Sequence, residues 1–256
     1  MDLDFEPLDQ NSGATKIKKD LQEIILWHEH ESPRSRQRAI GPSELGDPCD
    51  RRIAYRVAAV DPVNVNGDPW PAVVGTAVHG WLEKAVNRYQ KQHGYQGWRT
   101  ELRVHPDILV TGHSDLFHEP TGTVIDYKTT NAETIRKLQR GHPPSPGYIT
   151  QINLYGLGHE RAGRTVNNVC LVYYPRSGWL NDAFVWHGPY TPDIAHQALR
   201  RMYNIGFRLL DLDIENHPEY FAEIPATAGD NCVWCPMFKR DMDPAITASR
   251  DGCPGR

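Results

Sequence analysis

The sequence predicts an α/β fold, a sheet flanked by helices. Two patterns carry that prediction. Strand-like apolar alternation recurs at 100–105, 108–118 and 123–130 and again at 167–175 and 182–188. Stretches with helical periodicity lie before, between and after these runs. The resulting order is helix, three strands, two helices, two strands, helix, and 256 residues suit one enzyme-sized domain.

Taken in order, residues 1–40 read as an arm: an acidic start, a helix-compatible "IKKDLQEIILWHEHE", then the Arg-rich "SPRSRQR", whose Arg34, Arg36 and Arg38 are candidate phosphate contacts. From Gly41 to residue 256 the pattern is that of the main domain, with 226–256 as a cysteine-bearing C-terminal clasp. Ser43 is expected to cap a helix or form a turn, and "DRRIAYR" makes a short basic helix carrying Arg51, Arg52 and Arg56. "GTAVHGWLEKAVNRYQKQHG" spaces Val78, Leu82, Ala85, Val86 and Tyr89 as one helix face, with Gly94 as its C-cap. After the first three strands, "AETIRKLQRG" and "YITQINLYGLGHERAG" read as helices separated by the proline-rich "HPPSPG". Thr191, followed by Pro192, is the expected cap of the last helix.

The stretch "GHSDLFHEPTGTVIDYKTT" concentrates the chemistry. A type I turn over "EPTG", with Pro120 at its second position, pairs His118 with Thr123 and places Asp115 opposite Asp126. Period-two alternation then puts Asp126 and Lys128 on one face, with Ile125 and Tyr127 on the other. Opposed carboxylates repel unless a positive charge lies between them. A hard divalent cation such as Mg²⁺ or Mn²⁺ answers that need, and Lys128 is placed to orient water or offset charge on a phosphate. The flanking pattern G-H-S-D departs from the G-x-S-x-G of serine hydrolases, and Ser114 alternates away from Asp115.

"GHSD…IDYK" resembles the core signature of the PD-(D/E)XK nuclease superfamily, and further matches resemble its RecB-like exonucleases, including CRISPR-associated iron–sulfur and phage-encoded members. The resemblance implies a restriction-endonuclease-like core with a mixed central sheet. It implies metal binding by His79 of "GTAVH" together with Asp115, Asp126 and the Tyr127 carbonyl, with Glu101 of "TELRV" as a further ligand. It also implies that Gln151 and Tyr155 of "QINLY" contact the nucleic acid or support the site. The activity implied is metal-assisted phosphodiester hydrolysis by a DNA exonuclease in recombination, repair or phage replication.

Five cysteines in a chain without a signal peptide argue for metal or cluster ligation rather than disulfides. Cys232 and Cys235 form C-V-W-C, Cys253 follows in "GCPG", and Cys49 stands far upstream. This arrangement is similar to that of the iron–sulfur RecB-like proteins and implies a [4Fe–4S] cluster on four thiolates, with Zn²⁺ as the chemical alternative. The interval from Cys235 to Cys253 is longer than the family's usual few residues. Cys170, within an apolar strand, reads as a core thiol.

Composition narrows the rest. A net charge of −4 gives no global basic signature, so DNA contacts must come from local clusters at Arg51/Arg52/Arg56, Arg136/Lys137/Arg140 and Arg200/Arg201. Trp70, Trp98, Tyr148 and Trp179 are candidates to stack on single-stranded bases. The acidic N-terminus and the lack of any apolar run near ~18 residues point to a cytoplasmic protein without a membrane partner. Recombination or replication proteins are conceivable partners, and no feature demands an oligomer. Two other readings stand beside the exonuclease. One is a structure- or sequence-directed endonuclease, which the same fold can host. The other is a DNA-binding adaptor without catalysis, against which the intact Asp115, Asp126 and Lys128 argue.

Overall fold

The computed structural model describes residues 13–31, 40–64, 68–227, 230–239 and 247–255. Arg34, Arg36 and Arg38 lie outside the described residues. The chain divides into two compact units, Met1–Gln37 and Arg38–Arg256. The described part of the first is helix α1 (Gly13–Glu31).

The second unit is an α/β fold around a five-stranded mixed sheet in the order β1 (Trp98–Asp107), β2 (Val110–His118), β3 (Thr123–Thr130), β4 (Asn168–Pro175), β5 (Phe184–Pro189). All neighbours are antiparallel except β3 and β4. A parallel pair cannot be joined by a tight turn and needs a crossover. Residues 131–167 provide it as α5 (Ala132–Gln139) and α6 (Pro146–Arg161). Asn131 and Ser145 start these helices by accepting the Thr134 and Tyr148 amides. Three helices precede the sheet, α2 (Pro42–Leu45), α3 (Asp50–Val57) and α4 (Trp70–His93), and α7 (Pro192–Asp211) follows it.

The alternation of β3 separates two cores. Val124 packs with Phe117, Ile152, Tyr155 and Leu171 on the α6 face, whereas Ile125 and Tyr127 pack with Leu116, Cys170 and the α4 residues Leu82 and Val86 on the other. A third core joins α3 and α7 to the C-terminal segment through Tyr55, Met202, Phe221, Met237 and Cys253. The candidate site therefore sits where a two-faced sheet is sandwiched by helices. Among the described residues no helix is long and apolar enough to cross a membrane.

Three local expectations are corrected. Gly41, not Ser43, occupies the N-cap of α2, and the Glu44 carboxylate accepts the Gly41 amide at 2.8 Å. Helix α4 begins at Trp70, five residues before the expected stretch that starts at Gly75, because Asp68 accepts the Trp70 amide at 2.9 Å and prolines suit a first turn. Thr191 stands at the N-cap of α7 without capping it: its hydroxyl turns back to the Pro189 carbonyl at 3.5 Å, and its amide donates to Asn153 Oδ1 at 2.8 Å. Gly94 does end α4 in the left-handed region, at φ 66°.

His159 of α6 is fully buried, stacks on Phe117 with ring centroids 4.5 Å apart, and has no hydrogen-bond partner for either ring nitrogen among the described residues. Burial lowers its pKa from 6.5 to about 4, assisted by the charge of Arg164. An unfolded chain thus binds a proton that the folded one refuses between these values. Stability is complete above pH 6.5 and falls as pH drops toward 4, by about 3 kcal/mol in total. Urea titrations across that window should show the wild type losing about 3 kcal/mol relative to His159→Leu as pH falls, whatever other groups add to both; equal slopes would contradict it.

Candidate active site

The "EPTG" turn forms as its residues dictate: Glu119–Thr121 make one 3-10 turn, the Gly122 amide donates to the Glu119 carbonyl at 3.2 Å, and Gly122 takes φ 62°. It sets the register His118↔Thr123, Phe117↔Val124, Leu116↔Ile125, and the ladder then stops. Asp115 and Asp126 would form the next pair, so the strands part where the two carboxylates stand. Instead of a ladder bond, the Tyr127 amide donates to Asp115 Oδ2 at 2.7 Å. In a strand a residue's N–H and C=O project to the same edge, so the Tyr127 carbonyl faces this gap too. Gly112 permits the close packing behind it: a Cβ there would meet Pro42 at 2.8 Å and Tyr155 at 3.0 Å.

Helices reach the gap from opposite faces. Helix α4 brings His79, whose Nδ1 lies 3.2 Å from Asp115 Oδ1 and whose ring meets Tyr127 edge-on at 5.8 Å. Helix α6 brings Gln151, which accepts from Lys128 Nζ at 2.9 Å and, through Nε2, lies 3.2 Å from both Asp126 Oδ1 and the Tyr155 hydroxyl. Lys128 Nζ stands 2.6 Å from Asp126 Oδ2 and 4.3 Å above the Tyr148 ring. The site thus brings together two bonded groups, Asp115 with His79 and the Tyr127 amide, and Asp126 with Lys128, Gln151 and Tyr155.

Its electrostatics are those of crowded, desolvated charge. Asp126 is 2% exposed and Asp115 8%. Burial raises the Asp126 pKa from 3.8 to about 6; Lys128 opposes the rise and Asp115 adds to it. Burial alone would lower the His79 pKa, but the hydrogen bond and charge of Asp115, with Asp126 behind, turn the balance upward. Asp126 Oδ2 is held by the Lys128 ammonium at 2.6 Å and Oδ1 by Gln151 at 3.2 Å. Each carboxylate oxygen keeps further lone-pair capacity, which suits a hard cation.

Glu101 of β1 lies between Thr100 and Leu102, which pair with Leu116 and Ser114 on either side of Asp115. It takes φ 49°, a left-handed conformation that costs a non-glycine residue about 1–3 kcal/mol. Its charge is among those that, after burial, push the Tyr127 hydroxyl upward, which places it near this end of the sheet. Tyr148 was named in the sequence only as an exposed aromatic, yet its ring seats Lys128. The spacing Tyr148, Gln151, Tyr155 already marks one helix face and would have found it.

The four predicted cysteines come together elsewhere. Cys49, Cys232, Cys235 and Cys253 line one cavity of about 80 Å³ beside Arg51 and Tyr55. Backbone bonds brace it: the Cys235 amide donates to the Cys232 carbonyl at 2.8 Å and the Cys253 amide to Met237 at 2.7 Å. The Tyr55 hydroxyl reaches the Ser249 and Gly252 carbonyls at 2.9 and 3.2 Å. The described cysteines are all free thiols. Cys170 is buried in the sheet core, where burial raises its pKa to about 11. Among the described residues no three His, Cys, Asp or Glu side chains converge as the ligands of one ion would.

The basic clusters divide. Arg51 is 6% exposed and spends its guanidinium on the Ile224 and Ala222 carbonyls at 3.0 and 2.9 Å. Arg52, in the first turn of α3, pairs with Asp47 at 2.7 Å, and Arg56, in its last turn, pairs with Glu44. The expectation of a DNA-facing cluster there is corrected: these charges hold α3 to its surroundings. Arg200 and Arg208 of α7 are exposed and, with Arg201, line an open groove of about 520 Å³. Arg201 is partly neutralised by Asp50 at 2.6 Å. Of the aromatic candidates, Trp98 packs on His118 at 4.0 Å, whereas Trp179 is 79% exposed. Because β4 runs parallel to β3, the loop carrying Trp179 leaves the sheet at the end that bears Asp126 and Lys128.

No protein-family model matches the chain, and no curated protein sequence is similar to it. Among solved structures, SSO0001 superposes with a TM-score of 0.53 over 94% of this chain and 100% of its own, at 16% identity. An alkaline exonuclease from Laribacter hongkongensis superposes at 0.47 over 74% of this chain and 96% of its own, at 14% identity. A phage-related exonuclease from Haemophilus somnus 129PT gives 0.41 over 61% and 77%, at 11% identity. The likeness to SSO0001 is one of fold: the second unit is an α/β domain whose five-stranded mixed sheet carries two carboxylates and a lysine where β2 and β3 part.

Proposed function

We propose that this chain is a divalent-metal-dependent DNA exonuclease, hydrolysing phosphodiester bonds at DNA ends in recombination, repair or phage replication. The observation that carries the reading is the pair of buried carboxylates, Asp115 and Asp126, with the half-buried Lys128 at the point where β2 and β3 separate. Two buried carboxylates and a backbone carbonyl at one gap are hard oxygen donors that suit Mg²⁺ or Mn²⁺, which would be held by Asp115, Asp126, His79 and the Tyr127 carbonyl, with Glu101 beside them. When bound, the ion supplies a nucleophile by lowering the pKa of its water, and offsets charge on the phosphate.

The chain's own groups do the rest. Lys128, aimed by Gln151 and the Tyr148 ring, presents an ammonium to the attacked phosphate. Tyr155 fixes Gln151 and so sets the Lys128 and Asp126 positions together. The raised pKa values of Asp126 and His79 mean that protons compete with the cation, so metal affinity rises with pH. Trp179 offers a face for a base of a single strand entering from that end of the sheet.

The cysteine cavity is read as a [4Fe–4S] site. A single Zn²⁺ holds each sulfur about 2.3 Å from one point, whereas a cluster has a body of its own and spaces its ligands around it. What supports the reading is that all four thiols line one cavity. The group would tie the C-terminal segment to α3.

The test is digestion of end-labelled DNA with Mg²⁺ or Mn²⁺ on linear, circular, single- and double-stranded substrates. Mononucleotide release from linear DNA alone is expected; cleavage of closed circles would replace the exonuclease with an endonuclease, and no metal-dependent loss of DNA would leave only the adaptor. For the α7 groove, Arg200→Ala with Arg208→Ala should weaken single-strand binding uniformly across sequences. The same pair should lower the salt slope by about 1.4, or about 0.7 per phosphate lost. An unchanged slope would remove the groove from the DNA path.

A further inference from the structure

One buried polar group beside the site has no part in the network described above. The Tyr173 hydroxyl of β4 is closed to solvent and has no hydrogen-bond partner among the described residues. A buried hydroxyl left without a partner is costly, and phenylalanine would fill the same space without that cost. Its place points to a use. Tyr173 and Lys128 are side-by-side partners across the parallel β3–β4 pair, and Asp126 is the partner of Leu171, two residues back. Paired residues of adjacent strands share a face, here the α6 face, where Tyr173 packs with Leu171 and Tyr155. Its ring lies 6.4 Å from that of Tyr148, the ring over which Lys128 Nζ sits. Burial, then the charges of Tyr148 and Asp126, push its pKa above the usual tyrosine range, so the group is a neutral O–H.

In the resting site Asp126 is held by the Lys128 ammonium at 2.6 Å and the Gln151 amide at 3.2 Å. A phosphate entering the gap competes with Asp126 for that ammonium. Whenever Lys128 turns to it, a buried carboxylate oxygen loses its partner. We infer that Tyr173 is a positioning residue whose hydroxyl donates to Asp126 when Lys128 turns away. The inference rests on the hydrolase reading for the event that turns Lys128, and not for the exchange of partners itself. A neutral donor suits this exchange, because it favours the charged carboxylate without adding a positive charge that would repel a cation.

The exchange is tested without DNA or metal by a double-mutant cycle in the presence of a chelator, read as the folding equilibrium in urea. Tyr173→Phe in the wild-type background should leave stability equal or higher, because the hydroxyl removed has no partner there. In Lys128→Met, where Asp126 lacks its ammonium throughout, the same change should lower the folding equilibrium by about fivefold. Equal effects in the two backgrounds would mean a hydroxyl that is idle or only structural, and would overturn the inference. Should Lys128→Met fail to fold, kinetics decide. With Mg²⁺ and single-stranded DNA, Tyr173→Phe should lower kcat by about tenfold and leave the KM for DNA in place. An unchanged kcat, or a KM that rises alone, overturns the inference. A wild type that digests no DNA ends the nuclease reading, while the cycle still decides the role of Tyr173.

Discussion

Asp126→Asn is expected to lower metal-dependent DNA hydrolysis by at least about a thousandfold and, in the same protein, to raise the stability of the metal-free state. The first effect follows from its place: Asp126 is a buried carboxylate held by Lys128 at 2.6 Å and Gln151 at 3.2 Å, with lone-pair capacity left for a hard cation. The second follows from its titration. Its folded pKa of about 6 lies above the ordinary 3.8, so its contribution to stability is intact below 3.8 and is lost as pH rises through 6. Above pH 6 the ionised group costs about 3 kcal/mol, by the arithmetic of about 1.4 kcal/mol per unit. Asparagine stands in for the protonated carboxyl and removes that cost, so a net gain in stability is expected in urea titrations with a chelator at pH 7.5. Adding Mg²⁺ or Mn²⁺ should then stabilise the wild type and leave the variant unmoved. A variant that keeps its activity, or one that loses activity only by unfolding, would end the catalytic role given to this residue.

Cys253→Ser should release the C-terminal segment. Cys253 belongs to the same core as Tyr55, Met237 and Ala248, and its Sγ lies 3.6 Å from Arg51 Nη1. Without the thiolate the proposed cluster is lost, and Met237, Ala248 and the Tyr55 hydroxyl lose their cover together, at about 3–5 kcal/mol. Loss of absorbance near ~400 nm and rapid proteolysis after Pro225 are the expected readouts. Cys170→Ala, in the sheet core, should cost about 1 kcal/mol and leave the colour intact. A colourless anaerobic wild type containing zinc would remove the cluster, and equal behaviour of the two variants would remove the clasp.

Both expectations were open to the sequence to different degrees. The hairpin around "EPTG" was legible because turn chemistry and period-two alternation are local rules, and the three pairs from His118↔Thr123 to Leu116↔Ile125 follow them. The expected pairing of Asp115 with Asp126 was one step too regular: repulsion and the Tyr127 amide end the ladder there. Helix caps were less legible, as Thr191 shows, because its hydroxyl turns back to the Pro189 carbonyl while a distant asparagine takes its amide. The basic cluster on α3 could not be read at all, since whether an arginine faces solvent or a buried carbonyl depends on what folds over it.

By itself, then, the sequence determined the element order, the hairpin register and the residue types able to hold a hard cation, all of which rest on short-range sterics and periodicity. Only the tertiary structure decided which of those residues meet. It drew His79 and Gln151 from opposite faces of the sheet to one gap, set Tyr148 beneath Lys128, and turned Arg51 inward while leaving Arg200 and Arg208 exposed. The physical reason is that burial and charge pairing are settled between segments far apart in the chain, where no local spacing rule reaches.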